Sequence, residues 1–398
     1  MTFLNRDIEQ EMLDMAKAYP IVTVLGPRQS GKTTLVRHLF NDKPYVSLEN
    51  PDERSFAEED PKGFLDNYPD GAILDEIQRL PLLLSYLQGI VDDAPSKKGL
   101  FILTGSHQKE LHQSVSQSLA GRTALLTLLP LCLAELPITQ QHHDLNYYIY
   151  RGMYPRVYQE PGDLSPTKFY RNYLKTYVER DVRQLINIKE LSMFQRFIKL
   201  CASRIGQLFN ASNMSNELGV STTTIHHWLS ILEASFVIYR LQPYFENFGK
   251  RMIKSPKIYF TDVGLASYCL DIHTPEQLAR DPLRGNLVEN FIVLEIIKHQ
   301  LNQGMEPNCY FYRDSNQHEV DLIIKHGHEL IPIEIKASKT FHSDFLKGLR
   351  YFKEIAQERC PFGFLIYAGE REQSIQTNQV KHFSQTKSIV SQIANQAR

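Results

Sequence analysis

No stretch of this 398-residue sequence approaches the roughly 18 uncharged apolar residues of a membrane-spanning helix, so no membrane association is expected. The amino-terminal residues mix charged with apolar side chains and lack the apolar core of a secretory signal. Cysteine is scarce: Cys132, Cys201, Cys269, Cys309 and Cys360 lie far apart, with no C-x-x-C pair. That spacing argues against a disulfide framework or a zinc finger, and it suits a reducing compartment, so a cytoplasmic location is expected. There is no internal repeat and no low-complexity tract. Net charge is nearly absent too, at −1, but the total hides an asymmetry. Residues 41–80 carry 11 acids and 4 bases, whereas residues 151–260 carry 16 bases and 8 acids. The basic excess suits an anionic partner, foremost DNA; a solvated helical bundle rich in Arg and Lys would give the same count.

At this length two to three domains are expected, and an apolar fraction of 42% is enough to bury their cores. The first third alternates short apolar runs (Ile21–Leu25, Tyr45–Leu48, Ala72–Leu74, Leu100–Thr104, Ala124–Leu128) with helical patterns. Continuous apolar strands between helices imply a parallel sheet covered on both faces. The middle is mostly helical and rich in aromatics, with strand-like runs at Phe236–Leu241 and Lys257–Phe260 and a linker-like stretch at Leu270–Arg284. From Gly285 onward come a helix, three short strands, a helix and a further strand. The expected class is α/β: a domain built on a parallel sheet over residues 1–140, a mostly helical domain over 141–275, and a second α/β domain over 276–398.

Gly26-Pro27-Arg28-Gln29-Ser30-Gly31-Lys32-Thr33-Thr34 fits G-x-x-x-x-G-K-[ST] without a mismatch, after a strand and before a helix. The glycines let the backbone curl so that its N–H groups point at phosphate oxygens, and the helix N-terminus adds positive potential. ATP is the expected cofactor, with Lys32 reaching its β- and γ-phosphates and Thr33 ligating Mg²⁺. The apolar strand Ala72–Leu74 runs into Asp75 and Glu76, which face the nucleotide at the carboxyl edge of such a sheet. Asp75 is expected to hold Mg²⁺ through water, and Glu76 to polarise the attacking water. Thr104 or Ser106, ending the next strand, can sense the γ-phosphate or simply form a turn. Arg122 can act as an arginine finger toward a neighbouring copy, which would require a homo-oligomer, as a sensor in cis, or as a surface salt bridge.

Asn213–Leu218, a turn at Gly219 and Thr222–Glu233 spell a helix-turn-helix. Ile225, Trp228, Leu229 and Leu232 share the inward face, leaving Thr222, Thr223, His226 and His227 outward, where they can enter a major groove. Lys250, Arg251, Lys254 and Lys257 form a candidate basic wing on phosphates. Farther on, Glu319–Lys336 reads as a hairpin around Gly327-His328, with Asp321 opposite Glu334. Period-2 alternation places Val320, Leu322, Ile324, Ile331, Ile333 and Ile335 on one face, and Glu319, Asp321, Glu334 and Lys336 on the other. Asp321 and Glu334 can chelate Mg²⁺ or Mn²⁺ while Lys336 orients or activates water, the D…E-x-K pattern of restriction-type nucleases. Glu289, on the preceding helix, resembles the additional helix acid of that fold.

The elements GPRQSGKTT, AILDEIQ, ILTGSH, SLAGR and LLPLCLAEL, with RGMYPRVY, SPKIYFTDVGL, GNLVENFI and HEVDLIIK…IPIEIKAS farther on, resemble the AAA-type ATPases that carry a DUF4143 carboxyl-terminal region. The resemblance spans nearly the whole chain. It implies an AAA+-like ATPase with a winged helix and a restriction-endonuclease-like carboxyl-terminal fold. No second sensor arginine accompanies Arg122, a departure from ring-forming relatives. Two functions fit these readings: an ATP-driven enzyme acting on DNA through a metal-dependent nuclease-like domain, or an ATP-dependent switch or scaffold whose last domain only binds a partner.

Overall fold

The computed structural model describes residues 3–106, 118–141, 143–159, 164–178, 191–245 and 254–395. Five short strands, β1 (Ile21–Leu25), β2 (Tyr45–Ser47), β3 (Ile73–Asp75), β4 (Phe101–Gly105) and β5 (Thr123–Thr127), form one parallel sheet in the order β2-β3-β4-β1-β5. All of β1 is buried because its two faces feed separate cores. Val22 and Val24 pack with Met12, Leu35 and Val36 from helices Glu9–Ala18 and Lys32–Leu39. Ile21 and Leu25 face the opposite core, with Leu83, Leu84 and Leu87 of helix Leu83–Asp93. In this order β4 stands between β1, which feeds the phosphate loop, and β3, which ends in Asp75.

A second, eight-stranded sheet holds β6 (Ile238–Pro243), β7 (Lys257–Phe260), β8 (Cys309–Arg313), β9 (Glu319–His326), β10 (Glu329–Lys336), β11 (Gly363–Tyr367), β12 (Gln373–Ile375) and β13 (Asn378–His382). Their order is β12-β13-β11-β10-β9-β8-β6-β7. The sheet crosses the boundary expected at 275/276. β6 leaves the helical middle, pairs antiparallel with β7, and then runs parallel to β8 through Gln242 opposite Tyr310 and Pro243 opposite Phe311. The linker-like stretch before residue 285 contains a helix, Pro275–Ala279, anchored by the buried Leu278. The 18-residue helix Arg284–Leu301 is buried along most of its length, packing on β10 and β7 and hydrogen-bonding to Leu131 and Leu133. Among the described residues no helix is long and apolar enough to cross a membrane.

The β9–β10 hairpin turns at Gly327, whose φ of 56° only glycine adopts cheaply, as a II′-type loop requires at its first position. Its ladder pairs His326 with Glu329 and ends with Leu322 opposite Ile333, one step short of the expected Asp321–Glu334 pair. One expectation fails here. Val320 belongs to the core of Tyr312, Ile323, Leu330 and Phe352, not to that of Leu322 and Ile324. The cause is a bulge: Tyr310 pairs with Ile323 but Tyr312 pairs with Val320, so β9 carries one extra residue across from Phe311. A bulge of this kind shifts every side chain beyond it to the other face.

Candidate functional site

The loop after β1 curls through Gly26 (φ 157°), Gln29 (φ 63°) and Gly31 (φ 99°) into helix Lys32–Leu39. A Cβ on Gly26 would lie 2.1 Å from the Leu128 carbonyl oxygen, so the close approach to the end of β5 requires glycine. Pro27 and Ser30 are buried, Arg28 lies 3.3 Å from Glu49, and Thr34 points to solvent. Lys32 is buried, and its ammonium donates to the carbonyl oxygens of Gly26 and Pro27, each at 2.8 Å. Burial pushes its pKa down to about 8, although the Glu76 and Asp75 carboxylates oppose that shift.

Asp75, at the end of β3, gathers the next group. It accepts from Thr33 Oγ1 at 3.1 Å, from Tyr45 OH at 2.7 Å and from Thr104 Oγ1. Burial and the bond to Asp75 raise the Tyr45 phenol to about 12, so it stays a donor. Glu76 takes a left-handed backbone (φ 57°), which turns its side chain toward β4. Its Oε2 accepts from Ser106 Oγ at 2.9 Å and from Gln78 Nε2, and Gln78 also donates to Ser106 at 3.0 Å. Lys32, Thr33, Asp75, Glu76 and Ser106 thus meet at the carboxyl edge of the parallel sheet. Thr104 is committed to Asp75 and Ser106 to Glu76. Tyr45 and Gln78 were not singled out from sequence, since a lone polar residue beside a strand carries no periodic signal.

Arg122 lies elsewhere. It immediately precedes β5, and its carbonyl accepts from Ile21 at the start of β1, so it occupies the amino edge of the sheet, opposite the loop. Its guanidinium pairs with Asp92 at 2.6 and 2.9 Å. The salt-bridge reading applies, and the in-cis sensor reading does not.

In the middle region, helix Ala211–Leu218 ends at Gly219 in the left-handed conformation, and Ser221 caps helix Thr222–Ala234 through the Thr224 N–H. Ile225, Trp228, Leu229 and Leu232 are buried, while Thr222, Thr223, His226 and His227 are exposed together. Lys254 is exposed, and Lys250 and Arg251 lie outside the described residues. Lys257 departs from its expected place in a basic wing. It is 2% exposed, and its ammonium sits 2.8 Å from Glu289 and 2.6 Å from Glu319.

Lys257 therefore belongs to the carboxylate cluster of the eight-stranded sheet. Lys336 there reaches Glu334 at 2.7 Å and Asp321 at 3.5 Å, and Asp321 also accepts from the Ile335 backbone N–H at 2.8 Å. Burial and the neighbouring Asp321 charge raise the Glu334 carboxyl well above the usual range. Burial works against the Lys336 ammonium, but Asp321 and Glu334 outweigh it and raise its pKa. It stays protonated, fit to orient water rather than to take its proton. Glu289 is bound by Lys257 and by Tyr259 OH at 2.6 Å, and it lies near enough to Asp321 that burial and that carboxylate's charge raise its pKa. The structure thus brings Asp321, Glu334 and Lys336 together and pairs the expected helix acid with a cation.

Among the described residues, the one trio of possible metal-ligating atoms within 4.8 Å of one another is Asp7, Cys132 and His299. Each is already engaged: Asp7 by Lys387 at 2.7 Å, Cys132 by Asn302 at 3.7 Å, and His299 by Thr386 at 3.3 Å.

Three family models match separate parts of the chain. Residues 18–137 match an AAA domain, residues 142–276 a domain of unknown function (DUF8612), and residues 284–386 a domain of unknown function (DUF4143). The uncharacterized protein Rv2008c of Mycobacterium tuberculosis is 32% identical over 345 residues, which cover 85% of this chain and 75% of that protein. The uncharacterized protein MJ1544 of Methanocaldococcus jannaschii is 22% identical over 412 residues, covering 95% of this chain and 88% of that one. Of solved structures, the Walker-type ATPase PABY2304 of Pyrococcus abyssi matches 67% of this chain and 96% of its own, at 17% identity and a TM-score of 0.43.

Proposed function

We propose, for a chain that belongs to the family of the mycobacterial protein Rv2008c, that its AAA domain binds ATP with Mg²⁺ and hydrolyses it. The observation that carries this is the meeting of Lys32, Thr33, Asp75 and Glu76 at one sheet edge, beside a loop whose backbone is bent as phosphate binding requires. Lys32 moves from its two carbonyls to the β- and γ-phosphates. Thr33, and Asp75 through water, would hold Mg²⁺, which would neutralise phosphate charge. Glu76, steadied by Ser106 and Gln78, orients the attacking water. Lys32→Ala is expected to lose most ATP affinity by calorimetry. Glu76→Gln should bind ATP yet turn it over at least about a hundredfold more slowly, the usual scale for a lost catalytic base. Wild-type turnover in Glu76→Gln would move the role elsewhere.

A second activity rests on Asp321, Glu334 and Lys336. In this reading the exposed face of helix Thr222–Ala234 meets DNA as part of a winged helix, and the acid pair takes Mg²⁺ or Mn²⁺ for phosphodiester hydrolysis. Asp321→Ala and Glu334→Ala should abolish both metal binding and cleavage, whereas Lys336→Ala should abolish cleavage alone. If wild-type protein cuts no nucleic acid with either metal, with or without ATP, the switch or scaffold reading replaces it.

A further inference from the structure

A phosphate-binding loop turns its N–H groups inward, so its carbonyls face outward and need donors of their own wherever they are buried. For Ser30 the donor is Arg6, a buried residue 24 positions earlier in the sequence. Arg6 Nη1 donates to the Ser30 oxygen at 2.8 Å, and Nη2 to the Leu129 oxygen at 2.7 Å. Its Nε lies 3.1 Å from Glu135. Glu135 is itself buried, accepting from the backbone N–H of Asp7 at 2.7 Å and of Cys132 at 2.8 Å, and from Asn302 at 3.3 Å.

Asn302 follows directly on helix Arg284–Leu301, and that helix grips the same segment at two further points. Glu295 accepts from the Leu133 N–H at 2.8 Å, and Lys298 donates to the Leu131 oxygen at 2.7 Å. Residues 129–135 are therefore held by Arg6 on the loop side and by the long helix on the other. The same helix carries Glu289 of the acid cluster near its opposite end. Glu295 and Lys298 also pair with each other, so the contact is compensated in charge as well as in hydrogen bonds.

We propose that Arg6 is a positioning residue for the phosphate loop, and that the Arg6–Glu135 pair ties the loop's geometry to helix Arg284–Leu301. The proposal rests on the ATP-binding reading for its consequence, but not for its structural content. Removing Arg6 alone would leave Glu135 buried and uncompensated, so the informative variant is Arg6→Met with Glu135→Gln, which removes both charges and keeps volume. Hydrogen exchange on the nucleotide-free full chain should then show faster exchange at residues 28–32 and at Leu133, with β9 and β10 unchanged. Unchanged exchange at the loop would overturn the proposal. Steady-state kinetics should show a KM for ATP raised about tenfold or more with a smaller change in kcat, since loop order is needed first for binding. Arg6→Lys, which can still reach one carbonyl, should recover part of that loss. Wild-type KM in the double variant would also overturn it. Faster loop exchange in a protein whose wild type binds no ATP would instead remove the ATPase reading and leave the Arg6 brace standing.

Discussion

Lys32 shows what a single buried charge implies for activity. Its pKa of about 8 in the free protein reflects burial only partly offset by Glu76 and Asp75. Phosphate oxygens favour the charged form, so ATP binding must raise that value. A group whose pKa rises on binding gives its full contribution below the free value and loses it as pH climbs. ATP affinity should hold up to about pH 8, then weaken by up to about tenfold per pH unit until the bound-state pKa is reached. Calorimetry from pH 7 to 9.5 reads this directly, and a flat profile would mean that Lys32 is not on the phosphates. Residues of this kind were legible because the motif demands them: glycine where φ is positive or a carbonyl crowds Cβ, and lysine at a fixed offset. Arg6 and Tyr45 were not, because each acts across the fold on a partner distant in sequence, and Gln78 was not, because a lone polar residue after a strand carries no periodic signal.

Among the elements, the β9–β10 hairpin was readable down to its register. Alternation and a glycine turn leave little freedom, and the ladder from His326–Glu329 to Leu322–Ile333 follows the expected register. The bulge in β9 was invisible, since it answers to Phe311 on the neighbouring strand and not to any local pattern. Lys257 was misassigned for a related reason. Its charge suggested a solvent-facing wing, whereas β7 delivers it between Glu289 and Glu319. Lys257→Met should therefore destabilise the protein by about 3 kcal/mol or more, because Glu289 loses its cation inside the fold and Glu319 keeps only Arg313. Adding Glu289→Gln should recover part of that loss. Urea unfolding checks both; a change under about 0.5 kcal/mol, the scale of ordinary surface substitutions, would mean solvent already compensates the acids.

For the molecule as a whole, the three segments were visible in the sequence, but the sheet that joins two of them was not. Hydrogen bonds between β6 and β8 are set by tertiary approach, and no local signal in either strand announces the partner. A fragment of residues 276–398 would lose β6 and β7, expose the edge of β8, and leave Glu289 and Glu319 without Lys257. It should associate or fail to fold when expressed alone, whereas a fragment of residues 128–398 keeps the whole sheet and the segment that helix Arg284–Leu301 grips, and should give dispersed amide resonances. Sedimentation and NMR of the two fragments test this. A monomeric, folded 276–398 fragment would show that the sheet is complete without its two added strands.

The strand that passes from the helical middle into that sheet also bears on how such a chain can be inherited. Gene segments recombine safely where only a flexible tether joins two units, because neither then depends on the other's main chain. Here β6 gives backbone hydrogen bonds to β8, and β7 supplies the cation for acids encoded farther downstream. A new partner for either half would have to reproduce both the edge and the charge. The middle and last regions are thus constrained to travel through evolution as one cassette.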